Sequence, residues 1–206
     1  PGALRVVQLL RSLGIDVETE RDVFIVQGNG LRGLSPAEGI VDLRGWGASG
    51  LLVIAVLAGQ SFTTRVKLGK QADWAEPLLS MLAVMGMEGQ RETKAVYSLG
   101  KVDPVGAVHA GFEVGADEKL AVLVAGLYCK GVTQMRESSK NRNRMECFLQ
   151  QRGVSVERRR SGDEYAVSVE GEQSVQPLAV EVAGDLNLAS SFMLPALALE
   201  GSQLTV

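Results

Sequence analysis

The sequence predicts an α/β (α+β) domain of pseudo-threefold design. It reads as three βαβαββ units around three inner apolar helices, the third unit split between the C- and N-termini. Three observations predict it. Short apolar strands, Gly-rich turns and apolar helix-length runs recur in one order. Nearly the same phrase, Gly14-Ile15-Asp16-Val17-Glu18 and Gly153-Val154-Ser155-Val156-Glu157, follows two amphipathic runs. The last unit breaks off at the C-terminus, and its second half opens the chain.

The first unit begins at Ile40 to Leu43, turns through Arg44-Gly45-Trp46-Gly47 and continues in the apolar run Leu51 to Ala58. Gly59 ends that run, and Phe62 to Val66 is a strand because β-branched residues crowd it. The second begins at Ala107-Val108-His109, turns through Gly111 to Gly115, runs apolar from Leu120 to Leu127 and enters a strand at Val132 to Met135. The third begins at Ala179 to Val182, turns at Gly184-Asp185, runs apolar from Ala189 to Leu199 and ends in Gln203 to Val206. Each unit needs a second, amphipathic helix. Leu78, Met81, Leu82 and Met85 have helical spacing before Gly86; Met145, Phe148 and Leu149 precede Gly153; Val6, Leu9, Leu10 and Leu13 precede Gly14. Hairpins are expected through Glu20-Arg21-Asp22 and Ser161-Gly162-Asp163. The whole chain, 1–206, is read as one domain.

Composition narrows the classes of function. Of 206 residues, 46% are hydrophobic, enough for a core without disulfides or metals. The net charge of −3, with both signs mixed along the chain, gives no reason to expect nucleic acid or a membrane surface as partner. Cys129 and Cys147 lack CxxC spacing, so a reduced, cytoplasmic protein without structural metal is expected. The apolar runs are too short to span a bilayer. The chain opens at Pro1 rather than Met, which fits a piece of something longer.

Four stretches then carry a resemblance. Asp42 to Gln60 reads DLRGWGASGLLVIAVLAGQ, against a family phrase D-x-G-N-S-G-T-x-x-R-L-L-x-x-L-L-A-G-Q. Val122 to Thr133 reads VLVAGLYCKGVT, against L-L-L-A-G-L-Y-A-x-G-x-T. Asn141 to Glu146 stands where the family has S-R-D-H-T-E, and Val182 to Met193, VAGDLNLASSFM, resembles V-P-G-D-x-S-S-A-x-F-F-L. In this order they resemble the 5-enolpyruvylshikimate-3-phosphate synthase family of enolpyruvyl transferases. The resemblance implies one half of that family's inverse-barrel fold, lacking the partner domain that would close the cleft. It also implies transfer of the enolpyruvyl group of phosphoenolpyruvate to the 5-hydroxyl of shikimate 3-phosphate, a step of aromatic amino acid biosynthesis that needs no cofactor.

Both substrates are multiply anionic, so the family site needs guanidinium forks, lysines and hydroxyl donors. Against that requirement the motifs are eroded. The family asparagine, threonine and arginine on the phosphoenolpyruvate side are Gly45, Ala48 and Leu51, and leucine replaces neither the charge nor the bidentate donor. Arg44 is expected as a solvated turn residue, and the arginine-rich stretch before a proline shrinks to Gly69 to Trp74, keeping Lys67 and Lys70 nearby. On the shikimate-phosphate side S-A-Q-x-K becomes Gly115-Ala116-Asp117-Glu118-Lys119, which puts two carboxylates where a phosphate would bind. Ala116, Lys119 and Arg142 are the substrate-binding positions that the resemblance carries over; no catalytic residue and no metal ligand is assigned. Arg142, with Lys140 and Arg144, is a candidate anion site or else an exposed helix terminus. Asp185 is expected to cap the helix after it, Asn187 replaces a family serine, and the single histidine, His109, is given a packing or surface role. Arg158-Arg159-Arg160 is read as a hairpin tip, solvated or in contact with an anion or partner.

The expected ligand is shikimate 3-phosphate or another small anion, and the expected partner is the second domain of a parent protein. The chain alone is expected to be inactive. The alternative is a non-catalytic homologue kept as a binding or scaffold module, since the changes fall on ligand positions and spare the core phrases. A transferase of the amino-sugar branch on the same fold is disfavoured by Gly184-Asp185 and by the lack of a suitably placed reactive cysteine.

Overall fold

A computed structural model describes residues 2–21, 23–100, 104–106, 108–109, 115–138 and 144–182, with 190, 193, 195, 200–203 and 205. The chain divides into two compact units, Pro1–Gln176 and Pro177–Val206.

Within the first unit two sheets share one topology. The first contains β3 (Ile40–Asp42), β4 (Thr64–Lys67), β5 (Gly89–Arg91) and β6 (Val96–Leu99) in the order β3-β4-β6-β5. The second contains β7 (Val108–His109), β8 (Val132–Ser138), β9 (Val156–Ser161) and β10 (Glu164–Glu170) in the order β7-β8-β10-β9. In each, the first pair is parallel and the rest antiparallel, because a helix crosses over between the first two strands and a hairpin joins the last two. The crossover helices are α2 (Ala48–Ala58) and α4 (Ala116–Gly126); the amphipathic ones that follow are α3 (Glu76–Val84) and α5 (Arg144–Gln150). A third helix and hairpin, α1 (Ala3–Ser12) with β1 (Asp16–Glu20) and β2 (Val23–Gln27), repeat the second half of the pattern. The glycines after α1, α3 and α5 all sit in the left-handed region, Gly14 at φ 80°, Gly86 at 77° and Gly153 at 78°. A side chain is disfavoured there, which is why each helix stops on glycine.

The core lies between the crossover helices and the sheets. Ile54, Ala55 and Leu57 of α2 and Ala121, Val122, Leu123 and Ala125 of α4 are essentially inaccessible. At the C-terminal ends of α2 and α4, Gly59 lies against Tyr128, and a Cβ at that glycine would overlap the tyrosine ring. Gln60, buried beside it, donates from Nε2 to the carbonyls of Leu31 (3.0 Å) and Val56 (3.1 Å). Arg32 donates to the Tyr128 carbonyl at 2.6 Å. The phrases Leu57 to Gln60 and Leu127 to Gly131 therefore meet in one packed joint.

Two expectations change. The turn after β9 is Gly162-Asp163, so Arg158, Arg159 and Arg160 are strand residues rather than a hairpin tip. The ββ pair expected to close the Ile40 unit is β5–β6, whose place no alternating pattern marked. Residues 179–182 carry no strand. Arg142, Lys140, Asp185, Asn187 and most of Ala189 to Leu199 lie outside the described residues.

Candidate functional site

Apart from Arg142, which lies outside the described residues, the positions carried over from the family fall near the starts of the two crossover helices. At α2, Leu51 stands in the first turns and is 3% exposed, a member of the main core cluster with Leu43, Trp46 and Ile54. The position where the resemblance calls for an arginine is thus a core position. Trp46 packs beside it, buried to 5% exposure, and its indole N–H has no hydrogen-bond partner among the described residues. Trp46 and Trp74 converge on Gly50, whose hypothetical Cβ would stand 3.2 Å from Trp46 Cβ and 3.0 Å from the Trp74 ring edge. Aromatic carbon therefore fills the space around the start of α2.

Arg44 does not turn toward that helix. Its guanidinium grips Asp42 from Nε (2.9 and 3.0 Å) and Nη2 (2.5 Å), an exposed pair that also holds the Asp42 carboxyl down to about 2. Gly69 to Trp74 form a 3-10 helix that carries the second tryptophan. A polar cavity of about 690 Å³ opens beside Trp46, between α1 and β3, with Arg5, Gln8 and Arg11 on one element and Asp42 on the other. Arg5 lies over the Trp46 ring at 5.4 Å. Sequence reading did not find this cavity, because its walls come from segments with unrelated patterns.

At α4 the first turn holds its own carboxylates, Asp117 and Glu118. Glu118 folds back over Gly115 so that its Oε2 occupies the space a Cβ would take. A carboxylate therefore sits where the family serine would present its hydroxyl. Ala116 is the first residue of this helix.

Lys119 lies one turn further in and is fully buried. Its Nζ stands 2.9 Å from Glu137 Oε2 on β8 and 3.2 Å from Glu146 Oε1 on α5. Arg158 on β9 closes the group, with Nε 3.0 Å from Glu137 Oε1 and 3.7 Å from Glu146 Oε1, and its guanidinium over the Tyr165 ring at 3.7 Å. Among the described residues two cations and two anions meet here, with only Arg158 partly exposed. Only Lys119 of these was singled out in the sequence as a site residue, yet the signals were there. Thr133, Met135 and Glu137 alternate on the inward register of β8, as Val154, Val156 and Arg158 do leading into β9, and an acid or arginine on such a register needs a buried partner.

Among the described residues no group of three or more His, Cys, Asp or Glu side chains is placed to hold a metal ion. Among the described residues no helix is long and apolar enough to cross a membrane. Both described cysteines are free thiols; burial pushes Cys129 up to about 11, and Cys147 is exposed.

Sheet order, crossover helices and the motif positions at their starts define a domain of the enolpyruvyl transferase class. The solved structure of EPSP synthase from Acinetobacter baumannii superposes with a TM-score of 0.78 at 23% identity, over 94% of this chain and 44% of that one. The family model for EPSP synthase (3-phosphoshikimate 1-carboxyvinyltransferase) matches residues 3–206, and the chain belongs to that family. It is 33% identical over 206 residues to the 3-phosphoshikimate 1-carboxyvinyltransferase of Alkaliphilus metalliredigens, covering 97% of this chain and 47% of that protein. The Geobacter sp. (strain M21) enzyme of the same name is 29% identical over 210 residues, 99% of this chain and 48% of that protein. The chain thus spans about half the length of these relatives.

Proposed function

We propose that this chain is one domain, 1–206, of a 3-phosphoshikimate 1-carboxyvinyltransferase-like protein of the cytoplasm, and that it does not carry out enolpyruvyl transfer by itself. The carrying observation is Leu51. Phosphoenolpyruvate brings a phosphate and a carboxylate, and a cation or a cluster of donors must replace their hydration. At the arginine position of the matching motif stands a leucine 3% exposed in the core, and no rotation of that side chain supplies a donor. What remains is a half-site for shikimate 3-phosphate drawn from Arg142 and Ala116, with Lys119 in support.

Calorimetric titration with shikimate 3-phosphate at modest salt tests this reading. Saturable binding with a Kd on the order of 1 mM is expected, weakened roughly tenfold or more by Arg142→Ala, the loss of one charge-assisted contact. A folded sample that takes up no ligand would instead support a second reading, a non-catalytic module of the same family. The placement of Asp117 and Glu118 in the first turn of α4 favours that second reading, since both repel a phosphate dianion there.

A further inference from the structure

The buried ion cluster links the two helices that the proposed half-site draws on. Lys119 belongs to α4, three residues after Ala116, and Glu146 to the first turn of α5, four residues after Arg142 in the sequence. Glu137 and Arg158 belong to the sheet behind them. The Lys119 side chain is 1% exposed, and its ammonium faces two carboxylates within 3.2 Å. A side chain this enclosed is a poor partner for an incoming phosphate, which would have to draw it away from both glutamates and leave two buried carboxylates with Arg158 alone. Its evident work is to tie α4 to α5 and to β8.

We infer that Lys119 is a positioning residue: with Glu137, Glu146 and Arg158 it forms a neutral ionic lock that holds the starts of α4 and α5 in the spacing that binding of the phosphorylated ligand requires. This rests on the half-site reading above. Neutrality is the testable core of the idea. Among the described residues the cluster contains two cations and two anions. Lys119→Met leaves one net negative charge in the cluster and Glu146→Gln one net positive charge. The double variant is neutral again, with Glu137 and Arg158 still 3.0 Å apart.

The experiment combines titration with shikimate 3-phosphate and amide hydrogen exchange over 116–126 and 144–153, for the wild type, both single variants and the double. A positioning role predicts that each single variant loses affinity by roughly tenfold or more and exchanges faster in both segments, while the double recovers to within about threefold of wild type. A direct ligand role predicts the opposite split. Glu146→Gln would bind as well as wild type or better, and the double would stay as weak as Lys119→Met; that result overturns the inference. If the wild type binds no shikimate 3-phosphate, the half-site reading fails, and exchange alone decides the lock. Faster exchange in the singles with recovery in the double upholds it, and unchanged exchange in the singles overturns it. Should the singles not fold, a folded double upholds neutrality as the requirement, and a double less stable than either single refutes it.

Discussion

Replacing Leu51 by alanine separates a core position from a site position. Leu51 is 3% exposed and packs within the main cluster, so truncation removes nearly all the burial of its side chain and leaves a cavity. A fully buried leucine contributes about 1.5–3 kcal/mol through removal from water, and the unrelaxed cavity raises the cost of Leu→Ala to about 2–5 kcal/mol. Because Trp46 and Trp74 meet at Gly50, next to Leu51, the lower half of that range, about 3 kcal/mol, is expected if the rings settle inward. Urea unfolding followed by tryptophan fluorescence measures this directly, since the chain's 2 tryptophans are these two. The midpoint should fall with the slope unchanged. A leucine lining an open ligand groove would cost within about 0.5 kcal/mol. A loss below about 1 kcal/mol would refute the claim that this motif position has passed into the core. Leu51→Arg, which restores the family residue, is expected to cost more than the alanine, because the guanidinium arrives without a buried partner.

The remaining predictions concern packing and titration. Gly59→Ala should destabilise by about 1–3 kcal/mol in the same assay, because its methyl would overlap the Tyr128 ring at the joint of α2 and α4; a neutral result would mean that the joint is loose. At pH 8 a thiol reagent should label Cys147 quickly and Cys129 only after unfolding, since Cys129 is buried and raised to about 11; equal labelling of both in the native protein would contradict its burial. Tyr97 is raised to about 12 by burial, and by its hydrogen bond to Glu76 at 2.7 Å. Its folded-state pKa lies above the unfolded value near 10. The stability it contributes is therefore intact below pH 10 and falls as pH rises from about 10 to 12. Tyr97→Phe should flatten part of that alkaline loss, leaving the part due to Tyr128, which burial also raises to about 12. An unchanged alkaline profile would show that Tyr97 ionises alike in both states.

Much of the fold was legible because its helices obey simple periods. The run from Leu51 to Ala58 is apolar all round, and none of it is exposed, Leu52, Val53 and Val56 being half-buried and the rest buried; the run from Leu78 to Met85 has an apolar stripe before a glycine, and α3 stops there. The place of the β5–β6 hairpin was not legible. Gly89, Gln90 and Arg91 are all exposed, while Val96, Tyr97 and Leu99 do not alternate, so neither strand presents a period of two. The site was legible only in its losses. Leu51, Ala48 and Gly115 could be compared with motif positions, but Glu137, Glu146 and Arg158 come from three elements, and only their shared inward register foretold that they meet. The arginine run misled because three like charges suggest solvent, whereas strand alternation turns Arg158 inward and leaves Arg159 to pair with Glu157 on the surface.

The most direct test of the proposed function is phosphate release from phosphoenolpyruvate, followed by phosphorus NMR with shikimate 3-phosphate present and this chain at high concentration. The account predicts no release above the protein-free rate, because the phosphoenolpyruvate side lacks its arginine and Leu51 occupies that place in the core. Release well above that rate, abolished by Arg142→Ala, would contradict it and make this chain a catalyst in its own right.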